Sequence, residues 1–290
     1  MIMPIQRKPE WLKSRISSAQ TVQIANMLRR LGLNSVCEGA NCPNMGECFK
    51  KKTVTFMILG SVCTRNCAFC AVPNGIPQPV DPDEPRNVAA AAEKLGLLHT
   101  VVTSVTRDDL ADGGAEQFAQ TVRALKNVLP DSTVEVLIPD FKGTLDSLIT
   151  VIEAGPDIIN HNIETVPSLY KTIRPAAVYE RSLALLSNVK KHAQGIYSKT
   201  GIMVGLGETQ EEVLGVMDDL VAVGCDMLTI GQYLQPSKNH PPVIEFVHPS
   251  QFDRYKEIGL QKGFKFIASG PLVRSSYNAA ESIKEMMKNK

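Results

Sequence analysis

Two short stretches each gather three cysteines, CEGANCPNMGEC at residues 37–48 and CTRNCAFC at residues 63–70. A structural zinc ion takes four protein ligands and a disulfide framework takes an even count, so neither accounts for a repeated triplet. Cys63, Cys67 and Cys70 are spaced C-x3-C-x2-C on a stretch that follows an apolar run. Spacing this short lets one loop wrap an iron–sulfur cube, with thiolates on three irons and the fourth iron open to another ligand. Two other readings stand beside it: a zinc site that borrows a ligand from elsewhere, and a redox pair made by Cys67 and Cys70 alone. The full triplet directly after a strand, with Phe69 before its last cysteine, favours the cluster. Cys37, Cys42 and Cys48 are spaced C-x4-C-x5-C. Taken alone, they read equally well as a structural zinc site in an N-terminal flap.

The rest of the composition narrows the setting. The 290 residues are 43% hydrophobic and 21% charged, which suits an ordinary globular protein. The 31 Lys and Arg are scattered among 30 Asp and Glu, for a net charge of +1, so no basic face argues for nucleic acid or anionic lipid. The opening MIMPIQRKPEWLKSR lacks an apolar core of signal-peptide length, and no later run reaches the roughly eighteen apolar residues of a membrane span. A cytoplasmic location is expected, with no membrane partner. There, clustered cysteines are metal ligands or redox groups before they are disulfides.

The elements that position these cysteines follow from periodicity. From Thr53 onward, apolar and often β-branched runs alternate with amphipathic segments of helical length. Strands are predicted at 53–60, 99–105, 133–139, 157–163, 199–206 and 227–234, and helices near 86–96, 115–129, 144–154, 178–193, 209–223 and 249–262. A last apolar run, FKFIASG, follows. Near-continuous apolar strands separated by helices imply parallel strands buried on both faces. A doubly wound sheet satisfies that pattern. A partial TIM-type (βα)6 barrel is preferred, because polar residues cluster just after the strands, where barrel chemistry sits. They include Arg107, Asp108 and Asp109, then Asn162 and Glu164, Glu208, and Gln232 with Gln235. Three regions result: an N-terminal extension at 1–52 with the first triplet, a barrel core at 53–248, and a C-terminal extension at 249–290. The Pro-rich stretch 73–85 is read as an ordered loop. Cys225, entering an apolar strand, is read as a small buried hydrophobe. The five histidines show no metal spacing, and His240 is the one placed for substrate contact.

CTRNCAFC resembles the signature of the radical SAM superfamily, whose 4Fe-4S cluster leaves one iron for S-adenosylmethionine. The resemblance implies a 5'-deoxyadenosyl radical and an unactivated carbon as its target, with the cofactor carrying the chemistry and the protein positioning it. NHNIETVPSLY (160–170) is similar to the ribose-binding strand of these enzymes, with Asn162 and Glu164 at alternate positions facing one side. A bland reading makes the pair strand-end polar groups capping the next helix. GIMVGLGE (201–208) resembles a glycine-rich strand that lets the backbone approach the adenosyl group. Phe69, Asn162, Glu164 and Arg174 are the expected cofactor contacts. Arg107, Asp108 and Asp109 either orient ligands or form strand-end ion pairs.

CEGANCPNMGEC, PEWLK (9–13), TRDDLADGG (106–114), LTIGQYLQPS (228–237) and GPLVRSSY (270–277) together resemble the lipoyl synthase family over essentially the whole chain. Phe49 and Gly39 depart from the common family residues without touching a ligand. The resemblance implies sulfur insertion at C6 and C8 of an octanoyl chain carried on a lysine of a lipoyl carrier domain. It assigns two 4Fe-4S clusters: Cys63, Cys67 and Cys70 hold the radical-generating one, and Cys37, Cys42 and Cys48 hold an auxiliary sulfur donor. By the same analogy Ser276 completes the auxiliary cluster, with Ser275 as the alternative. A hard serine oxygen beside soft thiolates is an easily surrendered ligand, although either serine equally suits a helix N-cap. Implied partners are octanoylated carrier domains (2-oxoacid dehydrogenase acyltransferase subunits and the glycine cleavage H protein). A ferredoxin or flavodoxin as electron donor and an iron–sulfur carrier are implied as well. A different radical SAM sulfur inserter and a zinc- or cluster-stabilised scaffold are the competing functions.

Overall fold

A computed structural model describes residues 7–13, 19–39, 42, 44–50 and 53–276. The leader forms helix α1 (Ala19–Arg30), strand β1 (Asn34–Ser35) and two short helices, α2 (Val36–Gly39) and α3 (Met45–Lys50). Then come β2 (Thr53–Ile58), α4 (Glu84–Leu95), β3 (His99–Ser104), α5 (Ala115–Val128), β4 (Thr133–Leu137), α6 (Leu145–Glu153) and β5 (Ile158–Asn160). The chain continues through α7 (Tyr170–Ile173), α8 (Tyr179–His192), β6 (Tyr197–Val204), α9 (Gln210–Ala222), β7 (Met227–Gln232), α10 (Pro249–Lys262) and β8 (Phe266–Gly270).

All eight strands lie in one sheet in strict sequence order. A doubly wound sheet would reverse its order at a switch point; this sheet does not, and β2 through β8 pair in parallel as in a barrel. Among the described residues its two edges, β1 and β8, do not pair, which is the open seam of a partial barrel. The sequence reading counted six parallel strands. FKFIASG supplies a seventh, β8, which continues the ladder from Met227↔Phe266 to Gly231↔Gly270. Nor is the leader a mere appendage: β1 runs antiparallel to β2, pairing Asn34 with Met57 and Ser35 with Phe56. Two residues carry no periodicity, which is why β1 left no trace in the sequence pattern.

Local chemistry sets the helix ends. At α9, Thr209 accepts from the Glu212 amide at 3.2 Å while the Glu212 carboxylate accepts from the Thr209 amide at 2.8 Å, a reciprocal capping box. Pro249 opens α10, where its missing N–H would have had no helical partner. The helices pack on the sheet through two large apolar clusters that lie side by side along it. One surrounds Phe56, Val102, Phe118 and Val136, and takes in Leu28, Leu33 and Cys37 of the leader. The other surrounds Val204, Met217, Ile230 and Phe252. Cys225 is part of the second, its thiol pushed up to about 12 by burial, as expected for a structural cysteine.

The strands also bury a charged group among themselves. Lys199 of β6 donates to both oxygens of Glu135 on β4 at 2.9 Å, and Asn160 Nδ2 donates to Glu135 Oε1 at 2.9 Å. His99 Nε2 lies 3.7 Å from the same carboxylate. Burial alone would raise the Glu135 pKa, but the Lys199 charge and hydrogen bonds, with His99 close by, hold it to about 2. A group so depressed contributes stability that is complete above its ordinary pKa of roughly 4.3 and is lost as pH falls toward 2. Removing one partner of a buried pair costs about 3–5 kcal/mol, whereas replacing both with apolar side chains costs far less. Lys199→Met should therefore lower the unfolding free energy at pH 7 by about that amount in denaturant titrations. Lys199→Met/Glu135→Leu should recover most of it, and the single variant's deficit should shrink between about pH 4.5 and pH 2.

Candidate active site

Every loop that leaves the carboxyl end of a parallel strand opens on one rim. The loop after β2 carries the second cysteine triplet, and its departure is forced: Leu59 adopts a left-handed φ of 66°. Glu84 and Arg107 hold that turn, Glu84 accepting from the Leu59 amide at 2.9 Å and Arg107 donating to its carbonyl at 3.4 Å. The loop then closes on itself. The Cys63 amide donates to Pro73 O at 2.8 Å, Gly75 returns a bond to Cys63 O at 2.9 Å, and Cys70 donates to Cys67 O at 3.0 Å. Backbone amides of Arg65 and Thr106 point at Cys63 Sγ, at 3.4 and 3.3 Å.

The three thiols are free and half-buried. Burial pushes the Cys70 thiol up to about 11, helped by Cys67, Glu164 and Cys63. Burial also raises Cys67, with Arg174 working against it and Glu164 and Cys63 adding to it. Thiols this close resist ionising together until a cation neutralises them, which is what iron supplies. Among the described residues, no three His, Cys, Asp or Glu side chains converge tightly enough for a single metal ion. A cube whose irons each take one thiolate does not ask them to. The donor set fits a cluster.

Beside the cysteines lie the expected cofactor contacts, with one correction. Asn162 and Glu164 are not on a strand: β5 ends at Asn160, and Glu164 sits in the following loop with φ of 70°. The two still meet, Asn162 Nδ2 donating to Glu164 Oε1 at 3.0 Å. Arg174 Nη1 donates to the carbonyls of Asn162 and Ile163 at 3.1 and 2.9 Å and to the Tyr170 hydroxyl at 3.1 Å. Burial raises the Glu164 pKa, opposed by Arg174. Asn162 Oδ1 and Arg174 Nε are buried without a partner, an orphan acceptor and an orphan donor beside Cys67 that a polar ligand can satisfy. Phe69 packs against an apolar cluster of Ile173, Leu206 and Tyr233.

The glycines of GIMVGLGE answer to the protein. A Cβ at Gly201 would lie 2.6 Å from Thr229 Oγ1 and 2.9 Å from Asn162 Oδ1, and one at Gly205 would lie 2.1 Å from Gln232 Nε2 and 2.4 Å from Glu245 O. At these two positions the missing side chains make room for protein neighbours. Gln232 uses that room to donate to Val204 O, Tyr233 O and Glu245 O and to accept from Val247 N, pinning the loop after β7. From that loop His240 Nε2 donates to Cys70 O at 3.0 Å, so it supports the cysteine loop. Gln235 Nε2 bonds His240 O at 2.7 Å, and Glu208 accepts the amides of Gly205 and Leu206. Arg107 grips Asp109 at 2.8–3.2 Å, which settles that pair as a strand-end ion pair. Sequence reasoning passed over Arg65 and Asp140. Burial opposes ionisation of Asp140, but hydrogen bonds and charge from Arg65 hold its carboxyl down to about 2.

The first triplet follows β1, with Cys37 against Thr55 of β2. Cys37 is buried and its thiol is raised by burial, with Cys42 adding to it. The Cys42 amide donates to Cys37 O and the Cys48 amide to Asn44 O, each at 3.0 Å. Asn44 Nδ2 donates at 2.6 Å to Leu272 O, beyond β8, and burial lowers the Arg274 pKa, opposed by nearby Cys42. The C-terminal segment thus folds back to the leader. Ser275 and Ser276 form a half-buried turn there, and Tyr277 of RSSY lies outside the described residues.

This arrangement has known counterparts. Residues 57–220 match the family model of the radical SAM superfamily. The chain is 62% identical to a lipoyl synthase of Caldanaerobacter subterraneus over 94% of this chain and 96% of the relative. It is 55% identical to one of Alkaliphilus metalliredigens over 98% of each. The chain belongs to the lipoyl synthase family. As a lipoyl synthase it is a radical SAM enzyme that uses S-adenosylmethionine and 4Fe-4S clusters. Two solved structures share the fold at 13% identity. Methylornithine synthase has a TM-score of 0.54 over 93% of this chain and 95% of its own. The FeFe-hydrogenase maturase HydG from Carboxydothermus hydrogenoformans has 0.58 over 93% and 78%.

If Gly201, whose φ is not left-handed, serves protein packing, Gly201→Ala should destabilise this lipoyl synthase without any cofactor present, by about 1–3 kcal/mol in denaturant unfolding. A glycine kept only for the adenosyl group would leave the cofactor-free protein's stability unchanged.

Proposed function

We propose that the chain converts an octanoyl group, held by an amide on a lysine of a lipoyl carrier domain, into a lipoyl group by inserting sulfur at C6 and C8. The observation that supports this reading is that the first triplet follows β1, the strand paired with β2 whose following loop carries the second triplet, and that the C-terminal segment returns to the first triplet through Asn44 and Leu272 O and through Arg274 near Cys42. Cys63, Cys67 and Cys70 hold one 4Fe-4S cluster. With S-adenosylmethionine bound, that cluster supplies the 5'-deoxyadenosyl radical that removes hydrogen from unactivated carbon. Asn162, Glu164 and Arg174 bind and orient the cofactor through hydrogen bonds, using the two orphan atoms, while Phe69 keeps the apolar side of the loop packed.

Cys37, Cys42 and Cys48 hold the second cluster, which is a substrate because its sulfide ends in the product. Ser276 is its fourth protein ligand, with Ser275 one position away. The regions divide as 1–52 for the auxiliary cysteines, 53–248 for the radical barrel and 249–290 for the serine-bearing extension. The carriers are 2-oxoacid dehydrogenase acyltransferase subunits and the glycine cleavage H protein. Each cofactor cleavage consumes an electron, so a ferredoxin or flavodoxin must supply it, and an iron–sulfur carrier must rebuild the spent cluster. The location is cytoplasmic, without nucleic acid or membrane partners. The balanced net charge of +1 supports this, and no helix among the described residues is long and apolar enough to cross a membrane.

The test is mass spectrometry of an octanoyl-lysyl peptide incubated anaerobically with reconstituted protein, S-adenosylmethionine and reductant. Lipoyl product and about eight irons per chain are expected; zinc without labile sulfide would point to a scaffold instead. Replacing Cys63, Cys67 or Cys70 with Ala should abolish 5'-deoxyadenosine formation. Replacing Cys37, Cys42 or Cys48 should leave cofactor cleavage measurable while ending sulfur insertion, and equal loss of both activities in folded variants would refute two separate roles. Ser276→Ala should keep the radical-generating cluster and lose most lipoyl formation. A serine that merely caps a turn would cost about 1 kcal/mol of stability and leave turnover intact.

A further inference from the structure

We propose that Arg65 is the positioning residue of the radical-cluster loop, a buried guanidinium that holds Cys63 and Cys67 in ligand-ready places before iron arrives. The proposal rests on the assignment of Cys63, Cys67 and Cys70 to that cluster. Arg65 lies between the first two of these cysteines, yet its side chain is 7% exposed. It points away from solvent into the rim. Its Nε donates to Asp108 Oδ2 at 2.6 Å and its Nη2 to Asp108 Oδ1 at 2.9 Å, a two-pronged grip. Nη2 also donates to Asp140 Oδ1 at 2.6 Å.

Each carboxylate is itself fixed. Asp140 accepts from Arg181 Nη1 at 3.1 Å and from the Lys142 amide at 3.1 Å, and the Asp108 amide donates to Thr64 Oγ1 at 3.0 Å. Lys142 Nζ bonds the Asp108 carbonyl at 2.8 Å. Backbone bonds stitch the same loops: the Thr64 amide and hydroxyl both reach Thr106 O, at 3.0 and 2.9 Å, and the Thr106 amide reaches Cys63 Sγ. One side chain therefore joins the loops after β2, β3 and β4. A short cysteine loop that leaves a strand through a left-handed residue has no regular structure of its own, and preorganising its thiolates needs such an external anchor. The charge of Arg65 is matched by two carboxylates, so its contribution is geometric. Lysine cannot reproduce it, because an ammonium lacks the planar fork that meets Asp108 and Asp140 together.

The test is anaerobic reconstitution of the full chain with iron and sulfide, read by iron and labile-sulfide counts and by electron paramagnetic resonance of the reduced protein with and without S-adenosylmethionine. The wild-type chain should take about eight irons; if it takes none, the cluster assignment fails whatever Arg65 does. Arg65→Gln and Arg65→Lys should both drop to about four irons. They should also lose the resonance that responds to S-adenosylmethionine and keep wild-type circular dichroism. Asp108→Asn, which removes the bidentate partner and leaves Arg65 and Asp140 in place, should show a smaller selective loss of the same cluster; it decides the matter if the Arg65 variants do not fold. Full occupancy in Arg65→Gln, full rescue by Arg65→Lys, or equal loss from both clusters would overturn the proposal.

Discussion

Parallel register is the constraint on which the rest of this structure depends. Because β2 to β8 all run in one direction and pair in sequence order, each following loop is delivered to the same end of the sheet. Residues that stand far apart in the chain become neighbours there without any special device. The leader is the exception, since it precedes the first parallel strand and has no crossover to bring it round. It enters beside the carboxyl end of β2, with Asn34 opposite Met57, and runs antiparallel toward that strand's amino end, so that Cys37 lies against Thr55. The barrel's two unpaired edges then come close enough for Asn44 to bond Leu272 O. A side chain, not a strand ladder, crosses the gap.

Charge is distributed along the strands with the same economy. Below the rim, Glu135, Lys199 and Asn160 Nδ2 pair with one another out of water, while Asn160 Oδ1 and His99 Nε2 have no partner. At the rim, Asn162 Oδ1 and Arg174 Nε are likewise without partners. An unpaired buried polar atom costs about 1–3 kcal/mol, and at the rim a polar ligand can offset that cost. Leu59 and Glu164, on the loops after β2 and β5, are non-glycine residues at left-handed φ. Strain of this kind persists only where surroundings over-determine it: Glu84 and Arg107 hold the Leu59 backbone, and Gly201 O and the Met203 amide hold that of Glu164.

Much of this was legible in the amino-acid order, and the division follows from range. The six predicted strands and the helices after them lie where periodicity put them, within a few residues, because alternation and amphipathicity are local properties. The cysteine triplets were legible for the same reason. What escaped was set by contacts across the fold. Arg65 finds Asp108 and Asp140 at sequence separations of 43 and 75 residues, and nothing in TRN announces a buried cation. Nothing in GIMVGLGE itself shows that the space beside Gly205 is filled by Gln232, whose position depends on β7 and on the loop after it. Asn162 and Glu164 meet through a hydrogen bond, but the strand expected to carry them stops after three residues and Glu164 rejoins the sheet only through a bridge to Ile202.

Bracing is what the rim gives the second triplet. The loop holding Cys63 to Cys70 is tied to the loops after β3 and β4, to Ile173 O through the Ala68 amide, and to His240 through Cys70 O. Local opening free energy tracks how much buried contact and hydrogen bonding a segment makes, so this loop opens only together with the neighbouring loops that grip it. In the proposed assignment this is what the chemistry needs, because the cluster that must survive each turnover sits on a loop whose position is set by three strands at once rather than by its own eight residues.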